Sequence, residues 1–147
     1  MRVSSAPRCP HCRHFVYLDT LVCPECEAEL GYHLPSRQFF GLRTGRATIA
    51  EETWYTCSNR GWGCNWLVRE DEGSGRCFSC RLTRTAPDHS DTIAMEKLAK
   101  TEEAKRRLVV QLADLGLPIV SWAEAPGGLG FDLLSSISLG RPVTIGH

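Results

Sequence analysis

The sequence predicts a small metal-stabilised α+β fold: two consecutive four-cysteine modules, one amphipathic helix and a short C-terminal segment. Three observations predict it. All eight cysteines lie within the first 80 of 147 residues. Residues 92–115 carry a helical repeat. Neither cysteine region is long enough to bury the apolar surface that would offset its chain entropy, and in that size range a metal ion substitutes for a core.

The first four cysteines, Cys9, Cys12, Cys23 and Cys26, read C-x2-C-x10-C-x2-C. Two cysteines at this spacing grip one tetrahedral ion from a single tight turn, so two such turns fill its coordination shell. The second four, Cys57, Cys64, Cys77 and Cys80, read C-x6-C-x12-C-x2-C, with one turn stretched by Ser58-Asn59-Arg60-Gly61-Trp62-Gly63. Each set therefore predicts a zinc-ribbon module with one ion. Sequential pairing is expected over an interleaved cross-brace, because each site then closes a short loop at lower entropy cost. Zinc is favoured, as four thiolates make a soft, closed site that leaves no position for water and hence no catalytic role. Iron held as in rubredoxin uses the same geometry, and Cys9-Pro10-His11-Cys12 and Cys23-Pro24-Glu25-Cys26 each place proline after the first cysteine. Disulfides need an oxidising compartment; Met1–Pro7 contains no apolar export core, so a cytoplasmic location is expected.

The first module is assigned to residues 1–35, with a hairpin of Phe15–Leu18 and Thr20–Val22 between its cysteine turns. His11 and His14 flank Cys12 but are read as exposed turn residues, since the thiolates saturate the ion. Residues 36–49 read as a linker or loose strand whose Phe39 and Phe40 pack one module on the next. The second module, 50–87, carries Trp54, Trp62 and Trp66, read as a miniature core rather than a base-stacking platform. Asp71–Gly75 is expected to turn between strands 65–70 and 76–78.

Residues 88–117 hold the helix, expected from Thr92 to Leu115. Ala94, Leu98, Thr101, Lys105, Leu108, Leu112 and Leu115 form its stripe, and Gly116 with Pro118 closes it. Because this helix has its own pattern and no thiolate, Cys23→Ser is expected to unfold the first module and spare it. Residues 118–147 end on the apolar β segment Val143–His147, which suggests a C-terminal region that is incomplete or needs a partner surface.

Charge bounds the partners. The chain has 17 basic and 17 acidic residues. Through His89 there are eleven arginines against ten acidic groups, and two zinc tetrathiolates would take that formal +1 to −3. A phosphate backbone is not drawn to such a surface, so nucleic acid is disfavoured as a partner, and a protein partner or substrate is the expected one. No apolar run approaches a membrane span.

The segments Arg8-Cys9-Pro10-His11-Cys12, the second cluster through Arg81-Leu82-Thr83, Glu103–Leu108 with Leu115-Gly116-Leu117-Pro118, and Gly130–Leu134 followed by Val143–His147 resemble the N-terminal part of bacterial zinc-binding metallopeptidases that begin with a zinc-ribbon region. The resemblance implies that 118–147 starts a peptidase-like domain, whose catalytic metal would sit on an H-E-x-x-H helix. This chain has no H-E-x-x-H. What carries over is metal binding by the eight cysteines, in a ribbon that stabilises the protein or presents substrate or a partner. A nucleic-acid-binding ribbon and a rubredoxin-like electron carrier are the alternatives.

Overall fold

The computed structural model describes residues 6–71 and 74–144. It begins with two turns of the same build. Cys9 N–H donates to His14 O at 2.9 Å while Arg13 N–H returns to Cys9 O at 3.0 Å; Cys23 N–H donates to Ala28 O and Glu27 N–H to Cys23 O, both at 2.9 Å. The residue after the second cysteine must enter the left-handed region to close such a turn, and Arg13 and Glu27 do so at φ 67° and 62°. Single antiparallel bridges, Arg8 to Phe15 and Val22 to Glu29, flank the turns. The expected hairpin over 15–22 does not form. Each half bridges outward to its own cysteine turn instead, leaving Phe15, Tyr17 and Val22 exposed.

Strands β1 (Leu30–His33) and β2 (Gln38–Gly41) pair antiparallel, Leu30 opposite Gly41. β3 (Arg46–Ile49), β4 (Glu52–Thr56) and β5 (Leu67–Arg69) form an antiparallel meander in that order. The stretch read as a linker or loose strand thus holds β2 and β3. Phe39 is buried against Tyr32, ring centroids 5.2 Å apart, and Phe40 packs on the small cluster of Ala47, Trp54 and Leu67. Gly31 is required where β1 crosses β5, because a Cβ there would stand 2.4 Å from Leu67 Cδ2.

The second cluster departs from expectation on one side. β5 pairs with β4, and the segment expected as strand 76–78 runs into a short helix, α1 (Phe78–Arg81). Its cause is local: the Cys77 sulfur accepts from Cys80 N–H, so the C-x2-C turn caps its own helix.

β6 (Thr83–Thr85) leads to α2 (Thr92–Asp114), one residue short of the expected end. Asp91 caps it by accepting from Ala94 N–H, and Gly116, at φ 70°, ends it. The buried face overlaps the expected stripe only at Lys105. Met95, Lys105, Arg106, Val109 and Val110 are buried, while Leu108 and Leu115 are exposed. The face turns because its two cations have partners below them. Lys105 Nζ lies 2.6 Å from Glu102 Oε2 and also bonds Thr83, and Arg106 donates to Gly63 O at 3.2 Å.

After α2, β7 (Phe131–Asp132) pairs parallel to β6, and α3 (Ser136–Leu139) follows. The expected C-terminal strand lies partly outside the described residues; Val143 and Thr144 are not in a strand. No described helix is long and apolar enough to cross a membrane.

One buried cluster runs through Cys9, Cys23, Leu30, Tyr32, Cys57, Cys64, Trp66, Cys77, Cys80, Leu82, Val109 and Val110. It joins both cysteine sets and α2, where separate units were expected. Trp54 and Trp66 are buried as expected, but Trp62 is exposed.

Candidate metal centres

The eight cysteines gather as their spacing predicts, sequentially and not interleaved. Within each set the four sulfurs lie within 4.8 Å of one another. In the first, Cys9 Sγ is 3.6 Å from Cys26 Sγ and Cys12 Sγ 3.6 Å from Cys23 Sγ. In the second, Cys57 to Cys80, Cys64 to Cys77 and Cys64 to Cys80 measure 3.7, 3.6 and 3.8 Å. A zinc–sulfur bond of about 2.3 Å gives a tetrahedral edge of about 3.8 Å, so both sets fit a tetrahedral ion. A disulfide needs about 2.05 Å, and all eight cysteines are free.

The surroundings of the two sets differ. In the first, Cys9 and Cys23 are buried, Cys12 is half-buried and Cys26 is exposed; in the second all four are buried. Backbone donors face both sets; in the second, Cys77 N–H reaches Cys57 Sγ at 3.3 Å, Asn59 N–H the same sulfur at 3.5 Å, and Cys80 N–H reaches Cys77 Sγ at 3.4 Å. Hydrogen bonds to sulfur favour its ionised form. The stretched loop keeps this geometry by forming a 3₁₀ turn over Arg60–Trp62 that ends at Gly63, φ 96°.

Four sulfurs in mutual contact share protons unequally. The N–H of Cys26 and then that of Glu25 bring Cys23 down to about 7. Cys12 is pulled down by the His14 N–H, yet burial and the sulfurs of Cys23, Cys26 and Cys9 carry it to about 12. In the second set, hydrogen bonds from Cys64, Cys77 and Cys80 hold Cys57 far below the usual thiol range. Cys64 is driven up by its bond to Cys57, and Cys77 by burial. A divalent cation is the group that lets all four ionise together.

Sequence reasoning missed the groups that join the sites. From the stretched loop, Arg60 donates to Leu30 O and Leu21 O, both at 3.0 Å. Asn65, next to Cys64, donates to Leu18 O and Thr20 O, both at 2.8 Å, and its own carbonyl accepts from Tyr32 N–H at 2.7 Å. The signal was an arginine and an asparagine inside a cysteine-rich loop, where unpaired backbone carbonyls need donors. His11 and His14 are exposed, as expected. His33 is buried, with Nδ1 2.7 Å from Ser36 Oγ and its ring edge-on to Trp54 at 4.4 Å, so it belongs to the packing. His147 lies outside the described residues.

Residues 7–91 match a family model described as a zinc-ribbon domain. The chain belongs to the zinc-ribbon family. Residues 94–147 match a second model, described as "Putative zinc-binding metallo-peptidase", so the resemblance read from the sequence holds over both parts. Relatives in Mycobacterium bovis and in two strains of Mycobacterium tuberculosis, each named an uncharacterized protein, are 37% identical over 142 residues. The alignment covers 95% of this chain but 39% of those proteins, so the chain spans about two fifths of their length. No solved structure matches it. Family and cysteine clusters together support zinc binding by this ribbon.

Proposed function

We propose that the chain is a structural two-zinc ribbon, with Cys9, Cys12, Cys23 and Cys26 on one ion and Cys57, Cys64, Cys77 and Cys80 on the other. It fixes the first helix of a metallopeptidase-like region and presents substrate or a protein partner to it, and is not catalytic by itself. The observation that supports the reading is the geometry of both clusters: four sulfurs at tetrahedral spacing would fill the shell of an ion held between them and leave no open position for water or a scissile carbonyl. The sequence offers no H-E-x-x-H to build another. Bound there, zinc contributes folding energy, about 10–16 kcal/mol of apparent binding free energy in comparable small modules. The protein's own groups orient the sulfurs through the N–H donors of Asn59, Cys77 and Cys80. Thiolates kept free of disulfides suit a reducing, cytoplasmic setting.

Elemental analysis of the purified chain tests the stoichiometry, with two zinc ions and no iron expected. A red, redox-active protein would move the reading to electron transfer. Cleavage of an unstructured protein substrate, assayed with and without chelator, is expected to be nil in both cases. Chelator-sensitive cleavage by the pure chain would refute the structural role.

A further inference from the structure

A cleft of about 340 Å³ runs between the second cysteine cluster and α2, and a purely structural role gives it no task. One wall is built from the zinc-ribbon match, by Trp62, Arg76 and His89; the other comes from α2, by Met95, Leu98 and Arg106. Its size falls in the range of ligand pockets, and a seam between two units is where such pockets concentrate. Trp62 is the large exposed aromatic of the second ribbon, tilted toward His89 at a centroid distance of 6.3 Å. With Met95 and Leu98 it offers an apolar surface under an open mouth.

The charges say what else the occupant carries. A zinc tetrathiolate has net charge −2, and Cys64 and Cys80 stand in the cleft wall. Two guanidiniums lie near that cluster: buried Arg106, bonded to the Gly63 carbonyl beside Cys64, and Arg60, which interacts electrostatically with Glu29 and then with Cys64. They offset part of the −2. Glu102, the carboxylate of the lining, is bonded to Lys105 and Thr83. What remains is Arg76, exposed at the mouth with no ion pair among the described residues. An arginine fork above an apolar floor complements a carboxylate attached to an apolar group.

We propose that this cleft binds the C-terminal end of a peptide, its last apolar side chain on Trp62, Met95 and Leu98 and its carboxylate on Arg76. The inference rests on the substrate-presenting reading above and gives it a place and a chemistry. A free C-terminus on an apolar residue combines both features in one group, and capture of a terminal carboxylate is a recurrent mode of peptide recognition.

The test is calorimetric titration of the full zinc-loaded chain with an N-acetylated Gly-Ser-Gly-Ser-Leu peptide, its C-terminal amide, and N-acetyl-leucine. The free acid should bind about tenfold tighter than the amide, the scale of a charge-assisted hydrogen bond. Arg76→Gln should abolish that preference, and Trp62→Ala should weaken acid and amide alike. Both variants should keep two zinc ions, because Arg76 and Trp62 lie on the surface. Equal binding of acid and amide, no binding by either at millimolar concentration, or a preference that survives Arg76→Gln overturns the proposal. N-acetyl-leucine binding as tightly as the peptide would show a small-carboxylate site and overturn the peptide assignment. Fewer than two zinc ions in the unmodified chain would instead sink the structural function, leaving the cleft to be judged by the titration alone.

Discussion

The two clusters offer the same four donors but protect them differently. In the first, Cys26 is exposed and Cys12 half-buried, and the sulfurs are held by twin turns closed within six residues each. In the second all four cysteines are buried, and one of the turns is stretched and held by contacts distant in sequence. A regular turn can organise a metal site from the backbone alone, whereas an irregular loop needs the rest of the fold packed around it. The second site should therefore be hard to reach and costly to lose, and the first the reverse.

The largest effect expected is Cys77→Ser, which removes a ligand, the cap of α1 and a member of the shared core together. Zinc should fall by at least one ion, and the circular-dichroism signal of α2 should collapse. Cys26→Ser should release one ion while α2 stays folded. Equal damage from the two substitutions would erase the distinction. Next comes kinetics: on adding a chromogenic chelator, one zinc ion should leave about tenfold faster than the other, the scale expected when one site is exposed and the other must open first. Cysteine alkylation mapped by mass spectrometry should locate that fast ion at Cys12 and Cys26.

A third effect is smaller and sits beside the second site. Lys105→Ala strands the Glu102 carboxylate that its ammonium holds at 2.6 Å, and breaking a buried pair from one side costs about 3–5 kcal/mol. Denaturant unfolding should show that loss, and Lys105→Ala with Glu102→Leu should recover most of it. The smallest concerns the twin turns. Arg13→Gly or Glu27→Gly removes the strain of a side chain in the left-handed region, worth about 1 kcal/mol each. Metal affinity of the first site should rise slightly while the second is unmoved.

The grouping of the cysteines was the most legible part of this sequence, because C-x2-C spacing encodes a turn of fixed size without tertiary information. The pairing of Cys57 and Cys64 across six residues was readable only beside its regular partner. The helix was placed within one residue at its end, yet its face was misread. Periodicity placed Leu108 and Leu115 on the core stripe with Lys105 and left Arg106 off it, since nothing in the helix reveals the Gly63 O that Arg106 reaches or the Thr83 hydroxyl that joins Lys105 and Glu102. The hairpin over 15–22 failed for a related reason. Its residues favour strands, but the nearest unpaired backbone belonged to the cysteine turns on either side. Arg60 and Asn65 stood out only as polar residues in a cysteine-rich stretch, and their partners could not be read because they lie 30 to 47 residues away.

The parallel pairing of β6 with β7 bears on how such a chain can be reshuffled in evolution. The two family matches meet at residues 91 to 94, and by sequence alone that junction looks like a place where one unit could be exchanged for another. The strands cross it: β6 lies before the junction and its partner β7 after it. Asp91, the last residue of the first match, caps α2 and also accepts hydrogen bonds from Ser135 and Ser138. A recombination that swapped the ribbon would have to bring a matching strand edge and cap with it, so the ribbon and the segment after it are expected to be inherited together.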